Sequence, residues 1–278
     1  MVKELAREQR AGEGAPEDVE LVHYTVDRGI ATLTLDAPPA NTYTYAMMLQ
    51  LDACILRARM DPDVHVILLR GAGDKFFSAG ADIEMLDGAD PTFKYYFCLH
   101  ANETLLRFEQ TPKLVIAAMN GHTVGGGLEI AMACDIRLAK RDAGRLGLPE
   151  VSLGVLPGTG GTQRLTRLVG KARALEMMAL GRLYSFEEGE QLGIVNEVLS
   201  SDDYWDDVYA YAGQFVPPKK ASRAVGNIKR AVQTGGEIPL AEALGLEREL
   251  QQRLFTSADA KKGIRAYLDK DMARFTGE

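Results

Sequence analysis

Apolar and polar positions alternate with a period of two near the start of the chain. Residues 21–27 (LVHYTVD) and 29–35 (GIATLTL) both show this alternation, which is typical of half-buried β-strands. Only Arg28 separates the two segments, and this short connection predicts a β-hairpin. The proline pair at 38–39 ends the second strand, because proline has no N–H to donate to a sheet. The folded part of the chain is therefore expected to begin with two antiparallel strands.

Short apolar runs and segments of helical spacing follow each other through the middle of the chain. The runs at 64–70, 114–119 and 135–141 predict buried strands, whereas 45–60 and 92–110 predict helices. Pro112 ends the helix predicted for 92–110. Another helix is predicted for LEIAMAC, directly after a glycine run. A unit of strand and helix thus recurs without sequence identity, and it predicts an α/β fold. Its copies are 64–110, 114–134 and, in modified form, 135–180.

Predicted strands cease after about residue 200. Four helices are expected there, over 202–214, 219–233, 241–255 and 258–275. The predicted domains are a flexible tail (1–18), an α/β core (19–200) and a helical C-terminal module (201–278) that packs on the core or on a neighbouring subunit.

Composition narrows the class of protein. The 278 residues are 46% apolar and 26% charged, which is ordinary for a soluble globular protein. The net charge of −7 argues against nucleic acid or an anionic membrane as a partner. No apolar run is long enough to span a membrane, and the polar N-terminus is unlike a secretory signal. We therefore expect a cytoplasmic protein.

The cysteines and histidines indicate neither a disulfide framework nor a metal site. Cys54, Cys98 and Cys134 are odd in number and widely spaced, which fits a reducing compartment. No cluster of histidine, cysteine and aspartate has metal-ligand spacing, so no metal is expected.

Two solitary carboxylates suggest chemistry. Glu129 is the only formally charged residue in 114–134, and Glu150 is the only one in 146–163. Burying an ionised carboxylate costs several kcal/mol or raises its pKa, and such groups occur mainly where a proton must move. If the two side chains meet in space, they form a general acid/base pair.

A glycine run precedes the first of these carboxylates. Gly125, Gly126 and Gly127 lie between a predicted strand and a predicted helix, where unpaired N–H groups and the positive end of the helix dipole can hold an oxyanion. Tight packing of helix on strand explains the same run, and both interpretations stay open on this feature alone. The glycine clusters fit neither the dinucleotide-binding pattern nor the P-loop.

Three stretches together resemble the crotonase, or enoyl-CoA hydratase/isomerase, superfamily. They are FFSAGADIEML (76–86), KLVIAAMNGHTVGGGLEIAMACDIRLA (113–139) and GLPEVSLGVLPGTGGTQRLTRLVG (147–170). The resemblance implies a spiral of ββα units followed by a helical oligomerisation module, in a homotrimer or a hexamer made of two trimers. It also implies an acyl-CoA thioester as substrate and no prosthetic group.

The resemblance assigns roles by position. Glu129 and Glu150 match the two catalytic glutamates of the hydratases, and the amides of Ala81 and Gly126 match the oxyanion hole. The implied activity is that of a lyase adding water to an α,β-unsaturated acyl-CoA or removing it from a 3-hydroxyacyl-CoA. Glu129 would activate the water and Glu150 would protonate Cα. The positions implied to border the substrate and coenzyme A are Ala79, Ala81, Asp82, Ile83, Glu84, Gly125 and Gly126.

The alternatives are a Δ3–Δ2 enoyl-CoA isomerase of the same superfamily and a non-catalytic, RNA-binding member. The acidic balance of the chain argues against the second. Several positions depart from the family pattern, among them Leu128, which stands where many hydratases carry cysteine. Glu84 stands where hydratases often carry a lysine near coenzyme A, and Tyr43 is bulkier than the usual residue and is expected to narrow or polarise the acyl pocket. Lys261, Lys262 and Lys270 are expected to form a solvated face rather than a phosphate site, and His122 is a secondary candidate for substrate contact.

Overall fold

The computed structural model describes residues 19–278, so the tail predicted for 1–18 lies outside the described residues. A mixed α/β core carries two sheets. The strands are β1 (Val22–Asp27), β2 (Ile30–Leu35), β3 (Val66–Gly71), β4 (Phe76–Ser78), β5 (Leu114–Met119), β6 (His122–Val124), β7 (Ile136–Lys140), β8 (Arg145–Gly147), β9 (Tyr184–Ser185) and β10 (Glu197–Leu199).

The larger sheet contains every strand that the apolar pattern predicts. Its order is β1-β2-β3-β5-β7-β10; β1 and β2 form the antiparallel hairpin, and the other neighbours are parallel. Both faces of its central strands are covered. Leu33 and Leu69 face the main core, while Leu68 and Ile116 face a second cluster formed with Tyr204. Such strands appear as continuous apolar runs because neither face is left to water.

The smaller sheet, in the order β4-β6-β8-β9, was not predicted as a sheet. Each of its first three strands has three residues and follows a strand of the larger sheet after a short connection. Strands this short carry too few positions to show an alternating pattern, so the hydrophobic pattern does not predict strands at 76–78 and 122–124. The recurring unit is therefore strand, strand, helix, in agreement with the expected ββα spiral.

The helices confirm most of the predicted segments. They are α1 (Tyr45–Met60), α2 (Ile83–Asp87), α3 (Pro91–Gln110), α4 (Gly126–Met132), α5 (Gly161–Val169), α6 (Lys171–Leu180), α7 (Phe186–Gln191), α8 (Tyr204–Ala212), α9 (Ser222–Gly235), α10 (Leu240–Phe255) and α11 (Ala258–Asp269), with a 3-10 turn at Glu150–Leu153.

The prediction of a last helix reaching residue 275 is wrong at its C-terminal end. α11 ends at Asp269, and Lys270 takes a left-handed conformation (φ 55°). The following residues fold back, because the buried carboxylate of Asp259 accepts hydrogen bonds from the amides of Thr276 and Gly277 at 2.9 and 2.7 Å. These tertiary bonds override the helical pattern.

A buried ion pair joins the C-terminal helices to the core. The Lys229 ammonium of α9 lies 2.7 Å from the Asp135 carboxylate and also donates to the carbonyls of Phe108 (2.6 Å) and Lys113 (3.0 Å). Burial lowers the pKa of Lys229, and Asp135 opposes that change.

We expect Lys229→Met to lower the free energy of unfolding by about 3–5 kcal/mol, because it leaves Asp135 buried without its cation. Urea denaturation measures the loss. The exposed Lys171→Met is the control, and an equal effect of both variants would contradict this role.

Candidate active site

Two backbone amides meet where the loop after β4 approaches the start of α4. Gly80 has a positive φ of 96°, and a Cβ built on it would lie 2.9 Å from the Gly126 nitrogen. Only glycine allows this approach. The Tyr43 backbone bonds to residues 80 and 82, which leaves the amide of Ala81 free. Within residues 19–278, neither the Ala81 nor the Gly126 amide has a hydrogen-bond acceptor, as expected for an oxyanion hole.

Four further positions implied for coenzyme A lie in this loop or directly after it: Ala79, Asp82, Ile83 and Glu84. Ala79 is half-buried, and its amide donates to the Ala40 carbonyl at 3.0 Å. The Asp82 carboxylate caps α2 through the Met85 amide (2.8 Å), so its side chain is occupied in structure. Ile83 and Glu84 follow in the first turn of α2 and are exposed. A ligand entering here would meet the free Ala81 amide and the exposed side chains of Ile83 and Glu84.

Two backbone amides hold the side chain of Glu129 in place. Its side chain is 2% exposed, and Oε1 accepts hydrogen bonds from the amides of Thr159 (2.8 Å) and Gly161 (2.6 Å). Burial raises the pKa of Glu129, while the two amide bonds oppose that rise. These donors stabilise the ionised carboxylate. The glycines at 158, 160 and 161 are visible in the sequence, but no sequence pattern shows that amides of this segment hold Glu129.

Glu150 lies against Gly125, the first residue of the glycine run. It begins a 3-10 turn, and a Cβ built on Gly125 would be 3.2 Å from its Oε1. Its Oε2 is buried and has no hydrogen-bond partner among the described residues. Burial, with a smaller contribution from the charge of Glu129, raises the pKa of Glu150 to about 7. This carboxyl therefore carries a proton for much of the time near neutral pH.

The structure thus brings the two predicted carboxyls together. Glu129 is in the first turn of α4 and Glu150 contacts Gly125 directly before that helix, and the charge of Glu129 contributes to the raised pKa of Glu150. Lys94 of α3 is the nearby cation that lowers the pKa of both groups. The arrangement places an acid/base pair beside two free amides.

The pKa of Glu150 has a consequence for stability. An acid whose folded pKa (about 7) exceeds its ordinary value (4.5) binds more protons in the folded state, so its contribution to stability falls as pH rises from 4.5 to 7. The free energy of unfolding of Glu150→Gln, relative to that of the natural protein, should increase by about 1–2 kcal/mol from pH 4.5 to pH 8. This value allows for the solvent-facing part of the carboxyl. Urea denaturation at both pH values measures the gain. A constant difference between the two proteins would contradict the raised pKa.

Other candidates from the sequence have structural contacts. His122 accepts a hydrogen bond from the Arg145 amide at 3.2 Å and packs on Phe76 in the smaller sheet. Lys262 bonds to Thr276 and lies 3.7 Å from Asp259 within the C-terminal module. Lys261 and Lys270 are exposed. These contacts support the expected solvated face.

Across 19–278, no group of three or more histidine, cysteine, aspartate or glutamate side chains is placed to hold a metal ion. In that same range, no helix has the length and apolar character needed to cross a bilayer.

The buried carboxyl of Glu129 and the half-buried carboxyl of Glu150 thus lie beside two backbone amides that have no acceptor among the described residues. Comparison with known proteins identifies the family. The family described as Enoyl-CoA hydratase/isomerase matches residues 25–278, and the chain belongs to this family, in the crotonase superfamily.

Relatives and solved structures agree over nearly the full length. A "Short-chain-enoyl-CoA hydratase" of Clostridium acetobutylicum is 36% identical over 242 residues, which are 87% of this chain and 92% of the relative. A "Crotonyl-CoA hydratase" of Syntrophomonas wolfei is 34% identical over 88% of this chain and 94% of its own. A crystal structure of "Enoyl-CoA hydrates" from Geobacillus kaustophilus HTA426 superposes with a TM-score of 0.91 at 44% identity, covering 94% of this chain and 98% of that one. The expected superfamily and fold class are thereby confirmed.

Proposed function

We propose that this protein is an enoyl-CoA hydratase, a hydro-lyase that adds water to an α,β-unsaturated acyl-CoA or removes it from a 3-hydroxyacyl-CoA. The observation that carries the proposal is that two carboxyls, the buried Glu129 and the half-buried Glu150, lie next to the glycine run that presents the free Gly126 amide. Relatives named as enoyl-CoA hydratases support it.

The two amides would stabilise the charge that develops during hydration. Attack of water at Cβ moves electrons onto the thioester oxygen and gives an enolate. The amides of Ala81 and Gly126 are the donors for that oxygen, and they are held rigidly because Gly80 and the Tyr43 backbone fix the loop. Preorganised donors of this kind each contribute about 3–4 kcal/mol to lowering the barrier.

The carboxyls would divide the proton transfers. Glu129 takes a proton from water as the water oxygen bonds to Cβ. The Oε1 atom of Glu129 accepts two amide hydrogen bonds that favour the ionised form. Glu150, with a pKa of about 7, gives its proton to Cα as the enolate collapses. Return of the proton from Glu129 to Glu150 through solvent completes the cycle. The reverse sequence removes water.

Coenzyme A would lie along the loop from Ala79 to Glu84. This loop carries the free Ala81 amide and the exposed Ile83 and Glu84. The thioester serves as substrate, and the proposed chemistry requires no prosthetic group. Because Glu84 is acidic, we expect no charge contact from this position to the phosphates of coenzyme A.

Hydration of crotonyl-CoA by the purified protein tests the proposal. The conjugated thioester absorbs ultraviolet light and the hydrated product does not, so the rate is measured directly. We expect turnover in both directions, starting from crotonyl-CoA or from 3-hydroxybutyryl-CoA. A protein that only moves a double bond from the Δ3 to the Δ2 position would be an isomerase, and the hydratase assignment would be wrong.

We also propose that the C-terminal helices assemble the protein as a trimer or a pair of trimers. Apolar side chains on and after these helices are exposed in the single chain: Leu240, Phe255, Tyr267, Leu268 and Met272. Burying such side chains between subunits is favourable. Light scattering should give three or six times the mass of one chain, and a monodisperse monomer would contradict the proposal.

A further inference from the structure

The side chain of Tyr43 is a buried polar group that the proposed mechanism does not use. It is 2% exposed, and its backbone is fixed beside Ala81 in a β-bridge. Its hydroxyl is 2.9 Å from the Thr159 hydroxyl. The side chain is thus held at both ends, by the chain at one end and by a hydrogen bond at the other.

The ring reaches the immediate surroundings of the acid/base pair. A Cβ built on Gly126 would overlap the Tyr43 hydroxyl, so the phenol packs directly on the residue whose amide is one half of the proposed oxyanion hole. Thr159, its hydrogen-bond partner, also donates its amide to Glu129. Burial raises the pKa of Tyr43, and the charges of Glu129 and Glu150 both add to that rise. The hydroxyl therefore lies beside Gly126 and is linked to Glu129 through Thr159.

Aromatic packing prevents the ring from moving aside. Tyr43 stacks on Phe97 with ring centroids 5.8 Å apart, and Phe97 stacks on Phe93 at 6.1 Å. Both phenylalanines belong to α3, and Phe97 is buried in the main core. Because cores are packed at crystal-like density, a ring fixed in this way cannot be displaced without cost.

We propose that Tyr43 closes the acyl-binding pocket just beyond Cβ and restricts the substrate to short acyl groups. The inference rests on the proposed function, since it takes the thioester oxygen to bind between the amides of Ala81 and Gly126. The carbons that follow the thioester then lie between the two carboxyls, where the phenol occupies the space that a longer chain needs. A short acyl group ends before the ring, whereas a longer one requires the Tyr43–Phe97 stack to open.

Binding of saturated acyl-CoAs tests this restriction without any turnover. We expect the natural protein to bind butyryl-CoA at least about tenfold more tightly than octanoyl-CoA, since pockets discriminate steps of this size by such factors. In Tyr43→Ala the ratio should shift toward octanoyl-CoA by about tenfold or more. Tyr43→Phe keeps the ring and should keep the preference of the natural protein. Isothermal titration calorimetry gives all the dissociation constants.

Tyr184→Ala is the matched control, because Tyr184 is a buried tyrosine of β9 in the smaller sheet and its truncation should leave the ratio unchanged. If Tyr43→Ala does not fold, as judged by thermal melting, Tyr43→Leu still removes the outer half of the ring and should shift the ratio in the same direction. A folded Tyr43→Ala or Tyr43→Leu with the same ratio as the natural protein would overturn the inference. Failure to hydrate crotonyl-CoA, with the length preference intact, would instead refute the hydratase proposal alone.

Discussion

Glu129→Gln and Glu150→Gln are each expected to lower kcat for crotonyl-CoA hydration by about 10²–10⁴-fold, the range typical of a lost general acid or base. Glutamine keeps the shape of the side chain but can neither take a proton from water nor give one to Cα. In Glu129→Gln the side-chain oxygen of the introduced glutamine can still accept from the amides of Thr159 and Gly161, as the natural carboxylate does. The fold and the binding of butyryl-CoA should therefore be preserved.

The comparison of these two variants separates the candidate activities. A hydratase needs both carboxyls, because one activates water while the other serves Cα, whereas an isomerase should tolerate the loss of one. Glu176→Gln, on the exposed surface of α6, is the control and should keep full turnover. If either Glu129→Gln or Glu150→Gln retains more than about half of kcat, far outside the expected range, the proposed division of roles is wrong.

Removing the Ala81 N–H should lower kcat by about 10²–10³-fold, the cost of losing one oxyanion donor. The change is made by replacing Ala81 with lactic acid, which turns the amide into an ester and leaves the side chain as it is. The Ala81 N–H has no acceptor within residues 19–278, so its loss breaks no described hydrogen bond. The ester also makes the Gly80 carbonyl a weaker acceptor for the Tyr43 amide, which donates to it at 2.9 Å. We therefore expect a fall in kcat with a small loss of thermal stability.

The same replacement at Ala89 is the control for the ester itself. The Ala89 amide donates to the Leu86 carbonyl at 3.2 Å at the end of α2, away from the proposed hole, so this ester should leave kcat nearly unchanged. Steady-state kinetics with crotonyl-CoA compares the two esters. An equal, small effect at both positions would show that the Ala81 amide does not bind the thioester oxygen.

Sequence patterns predicted the larger sheet well and the smaller sheet not at all. Residues 114–119 form a strand as expected, because their buried faces require a continuous apolar run. Residues 122–124 form a strand although they carry no periodic pattern, since pairing with β4 and β8 is set by tertiary contacts. The end of α11 was missed for a similar reason, because the bonds between Asp259 and Thr276 join residues that no local pattern relates.

The candidate site was more predictable than its geometry. A lone carboxylate in an apolar stretch is visible in the sequence, and Glu129 lies near enough to Glu150 for its charge to raise the pKa of Glu150. That the two act as a catalytic pair stays a prediction. The amides that hold Glu129, from Thr159 and Gly161, could not be predicted because backbone donors carry no side-chain pattern. The position of the Tyr43 hydroxyl against Gly126 depends on the approach of distant segments. The cytoplasmic location stays a prediction.

A crystal structure of Glu150→Gln bound to butyryl-CoA tests the central claim most directly. The thioester oxygen should lie about 2.7–3.1 Å from the nitrogens of both Ala81 and Gly126, with Cβ between residues 129 and 150. A thioester oxygen bound elsewhere, or Glu129 turned out to bulk solvent, would contradict the proposed chemistry.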